Sequence, residues 1–475
     1  MNNALVELYG ADNLERLASK ATSFSHSIWD KAVKWLHSRR GFDIEDKPVR
    51  ALMDETYRVL SEGVSGAITE EVPEELTRSL LNNTFIFSGF KTYHEMKQAS
   101  ALLRSSKGGF KSFDEFYRDV KKIDNTYNRS YLAAEYEFAV QSTQMAVKWK
   151  DWEEMGDRYL LQYRTAGDER VREEHAALNN TTLPMDDKFW DSYLPPLGWR
   201  CRCTVVQVRK GKYRISDSDA ACKAGEHATS LPKQKIFRFN PGKTGKVFPP
   251  KHPYLPKGCG NCTRKLLLSY NPESEKCKAC AIITKQAIIE SRRREYERLK
   301  NDPNYKDVEF DERTGGLKAT HVGHTIQDSD KVEKFFDGMK PADLEFECQN
   351  LLFKWGHAAV LRDEFHNNRQ GNTLPSLDIE IDDKIMDIRS ITEGRVYGYA
   401  LKAKNKQLGN VKRKTGVVSD CACLHFHDPN MFSEEKLLRD IEWFKISLEE
   451  EGIRQRIKHI YVVVNGENSL KIYDI

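Results

Sequence analysis

Apolar residues recur at helical spacing along the first quarter of the chain. The pattern is clearest in IWDKAVKWLHSRR and VRALMDETYRVLSEGV, which Gly, Pro and polar residues separate from their neighbours. An apolar face of this kind packs against other elements, so each stretch predicts an amphipathic helix. Residues 81–96 form an aromatic-rich stretch that predicts a turn region. We therefore expect a mostly helical region over 1–125.

The strongest helical pattern lies at 128–149, and a strand follows it. Five positions recur at spacings of 4, 3, 4 and 3 and define one buried stripe: Leu132, Tyr136, Ala139, Thr143 and Ala146. Residues 158–165, RYLLQYRT, are rich in Tyr and Leu, which is typical of a strand. Residues 166–215 have dense Pro, Gly and Trp with little periodicity. We expect a compact irregular unit there.

The last third of the chain predicts a separate α/β domain. From about 325 its pattern indicates a helix, a strand hairpin, a basic helix, a strand, a helix and a strand. In LPSLDIEIDDKIMDIRS, isoleucines mark two strands and the Asp-Asp pair supplies the turn. The first helix, in DLEFECQNLLFKWGH, has four inward positions: Leu344, Cys348, Leu351 and Leu352.

Composition restricts the class of protein. The chain has 475 residues, 39% hydrophobic and 31% charged, which is typical of globular domains and long enough for several of them. No apolar run approaches the ~18 residues of a membrane span, and the first residues lack the pattern of a secretion signal. Ten Cys, four of them in two CxxC pairs, indicate a reducing compartment with metal binding.

A dense stretch at 157–203 combines Arg, Glu, Trp and Pro with one His and a Cys-Arg-Cys. One interpretation is a rigid framework, in which Arg side chains make bidentate contacts that pin loops. Another is a metal site, because Cys201 and Cys203 would share a face of a strand and His175 would complete the ligand set. A third is catalysis, but we see no Ser-His-Asp or activated-Cys arrangement.

This stretch closely resembles the phage Mu F-like minor head protein family over roughly 125–210. The resemblance rests on matches at Arg164, Thr165, Asp168, Arg170, Val171, Arg172, His175, Trp190, Pro195, Pro196, Gly198, Trp199, Cys201, Arg202 and Cys203. Arg200 stands where many relatives carry Asn. The resemblance implies a minor capsid component, present in few copies, that associates with portal, scaffold and capsid proteins during head assembly. It implies no enzyme activity for this module.

Two CxxC pairs predict a structural zinc site. They are CGNC, with Cys259 and Cys262, and CKAC, with Cys277 and Cys280. Two Cys on a tight turn occupy adjacent corners of a tetrahedron, and two such turns close a site that stabilises a small domain without catalysing. The alternative is four free thiols that cluster without a metal. Four further cysteines are expected to be packing residues: Cys222, Cys348, Cys421 and Cys423.

Clustered acids in the C-terminal region predict a catalytic site. Asp378 and Asp387 lie nine residues apart across the predicted hairpin, and Arg389 shares a face with Asp387. Carboxylates that hold Mg²⁺ beside a cation are what phosphodiester hydrolysis needs. The alternative is a pair of ordinary acids on the surface of a hairpin.

The segment at 401–414, LKAKNKQLGNVKRK, carries six cations and no acid. The cations are Lys402, Lys404, Lys406, Lys412, Arg413 and Lys414. Such a run predicts a surface that binds a polyanion, RNA or DNA. The alternative is a solvated basic helix without a ligand.

Residues 340–475 also resemble the PD-(D/E)xK-like nuclease domains at the C-terminus of bacterial contact-dependent inhibition toxins, many of which cleave tRNA. The resemblance implies five catalytic residues, Mg²⁺ at two of them (Asp378 and Asp387), and a tRNA or DNA substrate. The five are Glu347, Asp378, Asp387, Arg389 and Gln407.

One departure from that family concerns its Glu-x-Lys motif, which reads Asp387-Ile388-Arg389 here. Arg cannot give up a proton as Lys can, so it cannot serve as a base. Four histidines are further candidates to face a phosphate, although each is more often structural: His321, His324, His425 and His427.

These patterns predict a multidomain α+β protein of five segments. The segments are a helical N-terminal region (1–125), an irregular α+β Mu F-like head module (126–215), a small zinc-binding four-Cys unit (216–282), a charged helical linker (283–320) and an α/β nuclease-like domain (321–475).

The predicted function is that of a phage minor head protein with a metal-dependent nuclease toxin-like domain that acts on tRNA. Its place would be the virion and the host bacterial cytoplasm, with an immunity protein as a further partner. One alternative is a purely structural head protein whose basic C-terminal domain binds nucleic acid or portal without catalysis. Another is a bacterial polymorphic toxin that uses the head module for delivery. A nuclease requires Glu347, Asp378 and Asp387 to converge within a few ångströms, and a binding module does not.

Overall fold

The computed structural model describes residues 23–69, 72–106, 108–155, 158–255, 275–324, 338–363, 366–367, 373–392 and 397–475. The chain divides into two compact units, Met1–Ala287 and Ile288–Ile475. The fold is mixed α+β, as the sequence predicts. No helix in the described ranges is both long and apolar enough to cross a membrane.

The N-terminal unit begins with a bundle of helices. Its helices are α1 (His26–Arg39), α2 (Lys47–Ala67), α3 (Glu74–Ala101), α4 (Phe113–Asp124) and α5 (Leu132–Met155), with a π-helical segment at Asn125–Tyr131. The predicted stripe of α5 lies against the core, with Tyr136 half-buried and its other four members buried.

The aromatic-rich stretch at 81–96 is helical, so the predicted turn region is wrong. It lies inside α3, which buries side chains on all sides. Its hydroxyl residues fit a helix because they bond within it: Thr84 donates to the carbonyl of Leu80, and Ser88 donates to that of Thr84. A helix that is surrounded on all sides has no polar face. Its sequence therefore lacks the alternation of apolar and polar positions by which the other helices are recognised.

A buried ion pair joins α3 to α5. Lys91 and Glu135 have fully buried side chains, and Lys91 Nζ lies 2.6 Å from Glu135 Oε2. Lys91 Nζ also donates to the carbonyl of Tyr127 at 2.7 Å, and the hydroxyl of Tyr254 lies 3.1 Å from Glu135 Oε1. Buried charges are stable only when paired and hydrogen-bonded in this way.

Glu95 lies buried one helical turn from Lys91. Burial raises its pKa well above the ordinary value of 4.5, against the opposing effect of Lys91. The folded chain therefore keeps this proton at pH values where the unfolded chain has lost it, so stability falls as pH rises above 4.5. We expect Glu95→Gln to be more stable than the wild type at neutral pH and nearly equal below pH 4.5. Urea denaturation at both pH values checks this, and a pH-independent difference would contradict it.

The rest of the N-terminal unit is a small sheet with short helices. The sheet has the order β2-β1-β3, and both pairings are antiparallel. Its strands are β1 (Tyr159–Arg164), β2 (Thr182–Leu183) and β3 (Thr204–Arg209), and the helices are α6 (Glu173–Ala176), α7 (Phe189–Tyr193), α8 (Ser218–Ala228) and α9 (Pro241–Thr244). The predicted strand at 158–165 is confirmed. A small core forms around Trp149, Phe189 and Trp190, whereas Trp199 packs in the core of the helical bundle.

The C-terminal unit contains an eight-stranded mixed sheet in the order β13-β12-β11-β10-β9-β6-β5-β4. Its strands are β4 (Tyr305–Phe310), β5 (Leu317–His321), β6 (Ala358–Leu361), β9 (Ile379–Ile381), β10 (Lys384–Ser390), β11 (Cys421–Phe426), β12 (His459–Val464) and β13 (Lys471–Asp474). A separate two-stranded ladder joins β7 (His366–Asn367) and β8 (Thr373–Leu374). The predicted hairpin is β9–β10, and both Asp residues of its turn have positive φ.

Helices cover both faces of this sheet. They are α11 (Pro341–Lys354), α12 (Tyr397–Thr415) and α13 (Glu434–Glu450). Along β11, Cys421 and Cys423 pack with α11, whereas Ala422 and Leu424 pack with α12 and α13. Because side chains alternate along a strand, α11 lies on one face and the other two helices on the opposite face. The predicted elements from 340 onward form in the predicted order, the structure adds β6, β7 and β8 before the hairpin, and the last two elements are the strands β12 and β13.

The segment predicted as a linker, 283–320, is ordered and belongs largely to the C-terminal unit. Helix α10 (Glu275–Lys300) ends at Lys300, and β4 and β5 follow as strands of the large sheet. Arg292 of α10 donates to the carbonyl of Gly315 at 2.8 Å and lies 2.5 Å from Asp382 Oδ1. Dense charge in this helix therefore reflects contacts to the sheet as well as solvent.

Candidate functional site

Two aspartates lie side by side at the β9–β10 hairpin. The antiparallel register pairs Met386 with Ile379, so the next residues outward, Asp387 and Asp378, face each other. Asp387 is buried, and Asp378 Oδ2 accepts a hydrogen bond from the backbone N–H of Ile388 at 2.8 Å. Burial raises the pKa of Asp378, although Lys404 and that hydrogen bond act in the opposite direction. The hairpin thus brings together the two acids that the sequence singled out.

Helix α12 supplies a cation and an amide to these acids. Lys404 forms an ion pair with Asp387 Oδ2, and Gln407 Nε2 donates to Asp387 Oδ1 at 2.7 Å. Burial lowers the pKa of Lys404, against the effects of Asp378 and Glu345. Lys404 therefore contacts an acid of the sheet, and its predicted role in binding a polyanion stays a prediction.

Glu345, which the sequence did not single out, is the acid of α11 on this side. Its Oε2 lies 3.3 Å from Nε2 of the buried His324, and burial raises its pKa against the effect of that histidine. His324 Nδ1 lies 3.0 Å from the carbonyl of Arg362 and must donate to it, because a carbonyl only accepts. Nε2 of the same ring faces Glu345 Oε2.

Glu347, the predicted catalytic acid of α11, faces another set of residues. Its Oε2 lies 2.7 Å from His427 Nδ1 and 3.3 Å from His425 Nε2, and Asn465 donates to its Oε1 at 3.2 Å. Burial acts to raise the pKa of Glu347, but the two histidines outweigh it and lower the pKa. Residues two apart on a helix differ by about 200° in direction. Glu345 and Glu347 therefore cannot both reach the aspartates, and the structure selects Glu345.

The remaining predicted cations fall into two groups. Lys402 is half-buried, forms an ion pair with Glu451 and donates a hydrogen bond to Ser447. Arg389 is exposed on β10. The other four are exposed on α12 and form a basic surface: Lys406, Lys412, Arg413 and Lys414.

The two aspartates match what Mg²⁺ needs in part. Protein-bound Mg²⁺ is held by one or two carboxylates and keeps several waters, and Asp378 and Asp387 supply two. The predicted convergence with Glu347 is not formed. Across the described parts of the chain, one group of three His, Cys, Asp or Glu side chains brings its ligand atoms within 4.8 Å of one another, and it lies in the N-terminal unit.

The predicted four-Cys zinc site falls mostly outside the described residues. Cys259 and Cys262 lie there, as does the side chain of Cys277. Cys277 and Cys280 belong to α10 rather than to a tight turn, and Cys280 is buried in the N-terminal core. The zinc site stays a prediction.

The dense stretch at 157–203 forms the framework that its Arg content suggests. Arg172 Nη2 donates to the carbonyl of Trp199 at 2.8 Å, and Arg202 contacts both carboxylate oxygens of Asp168 at 2.5 and 2.6 Å. The second pair is about one-third exposed, so it holds geometry more than it adds stability. Residues 201–203 precede β3 instead of forming a strand, yet the thiols of Cys201 and Cys203 both lie next to His175.

This framework region is where the chain matches known proteins. Residues 99–206 match the model of the family described as Phage Mu protein F like protein. These residues form a Phage Mu F-like domain. The match begins within α3, before the predicted boundary at 126, and ends within β3.

Two relatives of the Mu F-like domain are known by name. Over 159 residues the chain is 28% identical to capsid assembly protein F of Escherichia phage Mu. The aligned segment covers 33% of this chain and 34% of that protein. Over 86 residues it is 29% identical to the Mu-like prophage FluMu F protein of Haemophilus influenzae, which covers 17% of this chain and 21% of the relative. The chain therefore spans about a third or less of each relative. No solved structure matches it significantly.

Proposed function

We propose that this protein is a minor component of a phage head, acting in head morphogenesis through its Mu F-like domain. The match over 99–206 and the similarity to capsid assembly protein F of phage Mu support this. The partners would be portal, scaffold and capsid proteins, and the place would be the virion. The N-terminal unit offers a pinned framework suited to such docking, since Arg172 and Arg202 fix its loops.

We further propose that the C-terminal unit is a phosphodiesterase of the toxin-nuclease kind, acting on tRNA or DNA. The observation that carries this is the cluster of Asp378, Asp387, Lys404 and Gln407 at the hairpin, in which Asp387 is buried and the other three are half-buried. Buried groups with shifted pKa values beside a cation are typical of catalytic sites. The exposed basic residues of α12 continue from this cluster and fit a nucleic-acid backbone. An immunity protein that covers the cluster would be a further partner.

Each residue of this cluster has a chemical task in the proposal. Gln407 holds the carboxylate of Asp387, and Lys404 balances its charge. Because burial lowers the pKa of Lys404, its ammonium can release a proton to a leaving oxygen more readily than an exposed Lys. Mg²⁺ bound to Asp378 and Asp387 would neutralise charge on the phosphate and activate water. Arg389, being exposed, is free to contact the phosphate.

Lys404→Met tests the catalytic reading. We expect the full-length variant to lose cleavage of total tRNA, single-stranded DNA or duplex DNA by about 10²-fold or more, the usual size of a general acid's contribution. The assay runs with Mg²⁺ and with EDTA. Lys384→Met, an exposed Lys at the start of the same strand as Asp387, is the control. Equal rates for Lys404→Met and the wild type would remove Lys404 from the chemistry.

The competing function is nucleic-acid binding without cleavage, which the basic surface alone would support. Reversing Lys412, Arg413 and Lys414 to Glu should weaken binding. It should also reduce the slope of log K against log salt by about 2–3, since each phosphate contact contributes about 0.7–0.9. Binding is measured by fluorescence anisotropy at several salt concentrations, with Lys384→Glu as the control. An unchanged slope would exclude this surface as the contact. Salt-sensitive binding with no cleavage of any substrate would favour the purely structural head protein.

A further inference from the structure

We propose that His175, Cys201 and Cys203 bind a zinc ion inside the Mu F-like domain. The proposal is independent of any nuclease activity, since these residues lie in the N-terminal unit. It assigns a function to the Cys-Arg-Cys sequence that the framework contacts leave unexplained.

The distances between the three donors fit tetrahedral zinc. His175 Nδ1 lies 3.7 Å from Cys201 Sγ and 3.8 Å from Cys203 Sγ, and all three donor atoms lie within 4.8 Å of one another. Zinc bonds of about 2.3 Å to sulfur and 2.0–2.1 Å to nitrogen at tetrahedral angles require an S···N separation of about 3.6 Å. Both S···N separations therefore lie within a few tenths of an ångström of the required value.

Burial of these groups is poorly compensated without a metal. His175 and Cys201 are each only 2% exposed. The other ring nitrogen of His175, Nε2, is buried and has no hydrogen-bond partner in the described structure. The polar contacts of Nδ1 are two thiols, which are weak donors. A metal ion at Nδ1 would give the buried ring a stronger partner than these thiols, although Nε2 would stay without one.

The two chain segments that carry the donors are fixed independently of any ion. His175 lies in α6, and its backbone N–H donates to the carbonyl of Arg172 at 3.0 Å. The N–H of Cys201 bonds to the carbonyl of Gly198 at 3.2 Å, and the Arg172 guanidinium joins the segments through the carbonyl of Trp199. Since Arg202 is held outward by Asp168, its two Cys neighbours face inward. A site prepared in this way pays little ordering entropy on binding.

The donor set indicates which metal is bound. Thiolate and imidazole ligands favour zinc over Mg²⁺ or Ca²⁺, which prefer oxygen. Two thiolates balance the charge of one Zn²⁺, so the buried site would be neutral overall. Three protein ligands leave one corner of the tetrahedron for water or another ligand. The ion would cross-link α6 to the start of β3.

Zinc content of the purified full-length chain is the first test. We expect Cys201→Ser/Cys203→Ser to contain about one zinc fewer per chain than the wild type, because a site of this kind loses its metal with its thiolates. Cys222→Ser, which removes a half-buried thiol of the same core, should change nothing. Cys259→Ser/Cys262→Ser separates this site from the other predicted one and should retain the zinc bound at His175. Equal zinc in the Cys201/Cys203 variant and the wild type would overturn the proposal.

Thiol protection in the wild type keeps the test decisive even if the variant fails to fold. Alkylation followed by peptide mass spectrometry should find Cys201 and Cys203 protected, and a strong chelator should make them reactive while Cys222 stays unchanged. Substitution of Co²⁺ should give thiolate-to-metal charge-transfer absorption that His175→Ala weakens. A disulfide between Cys201 and Cys203, or alkylation that the chelator does not affect, would contradict the assignment.

Discussion

Asp387→Asn should abolish nucleic-acid cleavage by the full-length protein, with a loss of about 10³-fold. The substitution keeps the shape of the side chain but removes the negative charge that pairs with Lys404 and, with Asp378, would hold Mg²⁺. Metal-ion stabilisation is worth several kcal/mol, and each 1.36 kcal/mol is about tenfold in rate. Rates are measured on tRNA and on both forms of DNA at saturating Mg²⁺.

Two companion variants make that result interpretable. Asp387→Asn alone leaves the buried Lys404 without its partner, so it also costs stability. The double variant Asp387→Asn/Lys404→Met removes the unpaired charge, and we expect it to recover the fold but not the activity. Asp383→Asn changes an exposed acid in the turn of the same hairpin, where Asn tolerates the positive φ. Cleavage by the folded double variant at the wild-type rate would exclude Asp387 and Lys404 from the chemistry.

Lys91→Met should destabilise the N-terminal unit by about 3–5 kcal/mol, the usual cost of breaking a fully buried ion pair. Glu135 would keep its hydrogen bond from Tyr254 but would lose the cation that balances its buried charge. Urea denaturation followed by Trp fluorescence measures this, because six of the 8 Trp residues lie in this unit. Lys97→Met, an exposed Lys on the same helix, should stay within about 0.5 kcal/mol of the wild type.

Adding Glu135→Gln separates charge burial from loss of packing. Gln is neutral and still accepts the hydrogen bond from Tyr254, so Lys91→Met/Glu135→Gln should recover much of the lost stability. If the double variant is as unstable as Lys91→Met, the loss arises from the methylene packing of Lys91 rather than from the stranded carboxylate.

Much of the candidate site could be predicted because a hairpin turns sequence spacing into spatial neighbours. Once the turn is placed at Asp382 and Asp383, the register of the hairpin puts Asp378 opposite Asp387. From the sequence, Lys404 could be recognised only as one of the six cations in 401–414. Its role depends on which side of α12 faces the sheet, and a run of Lys on all sides does not reveal that.

Glu345 and Glu347 illustrate where local pattern fails. Both flank the apolar stripe of α11, with Leu344, Cys348 and Leu352 buried between them. A stripe defines the inward direction of a helix, but not which of its two borders lies over a particular strand. That choice is made by the angle at which α11 packs on the sheet, which no single segment encodes.

The sequence by itself determined most elements of the C-terminal sheet, the strand at 159–164 and the motif of the Mu F-like domain, since periodicity and turn residues act locally. Tertiary structure alone decided that 81–96 is helical, that 305–321 joins the large sheet, and that His175 meets Cys201 and Cys203. These outcomes depend on burial by distant residues. A helix enclosed on all sides loses its polar face, and donors 26 and 28 residues apart meet only when the chain between them folds back.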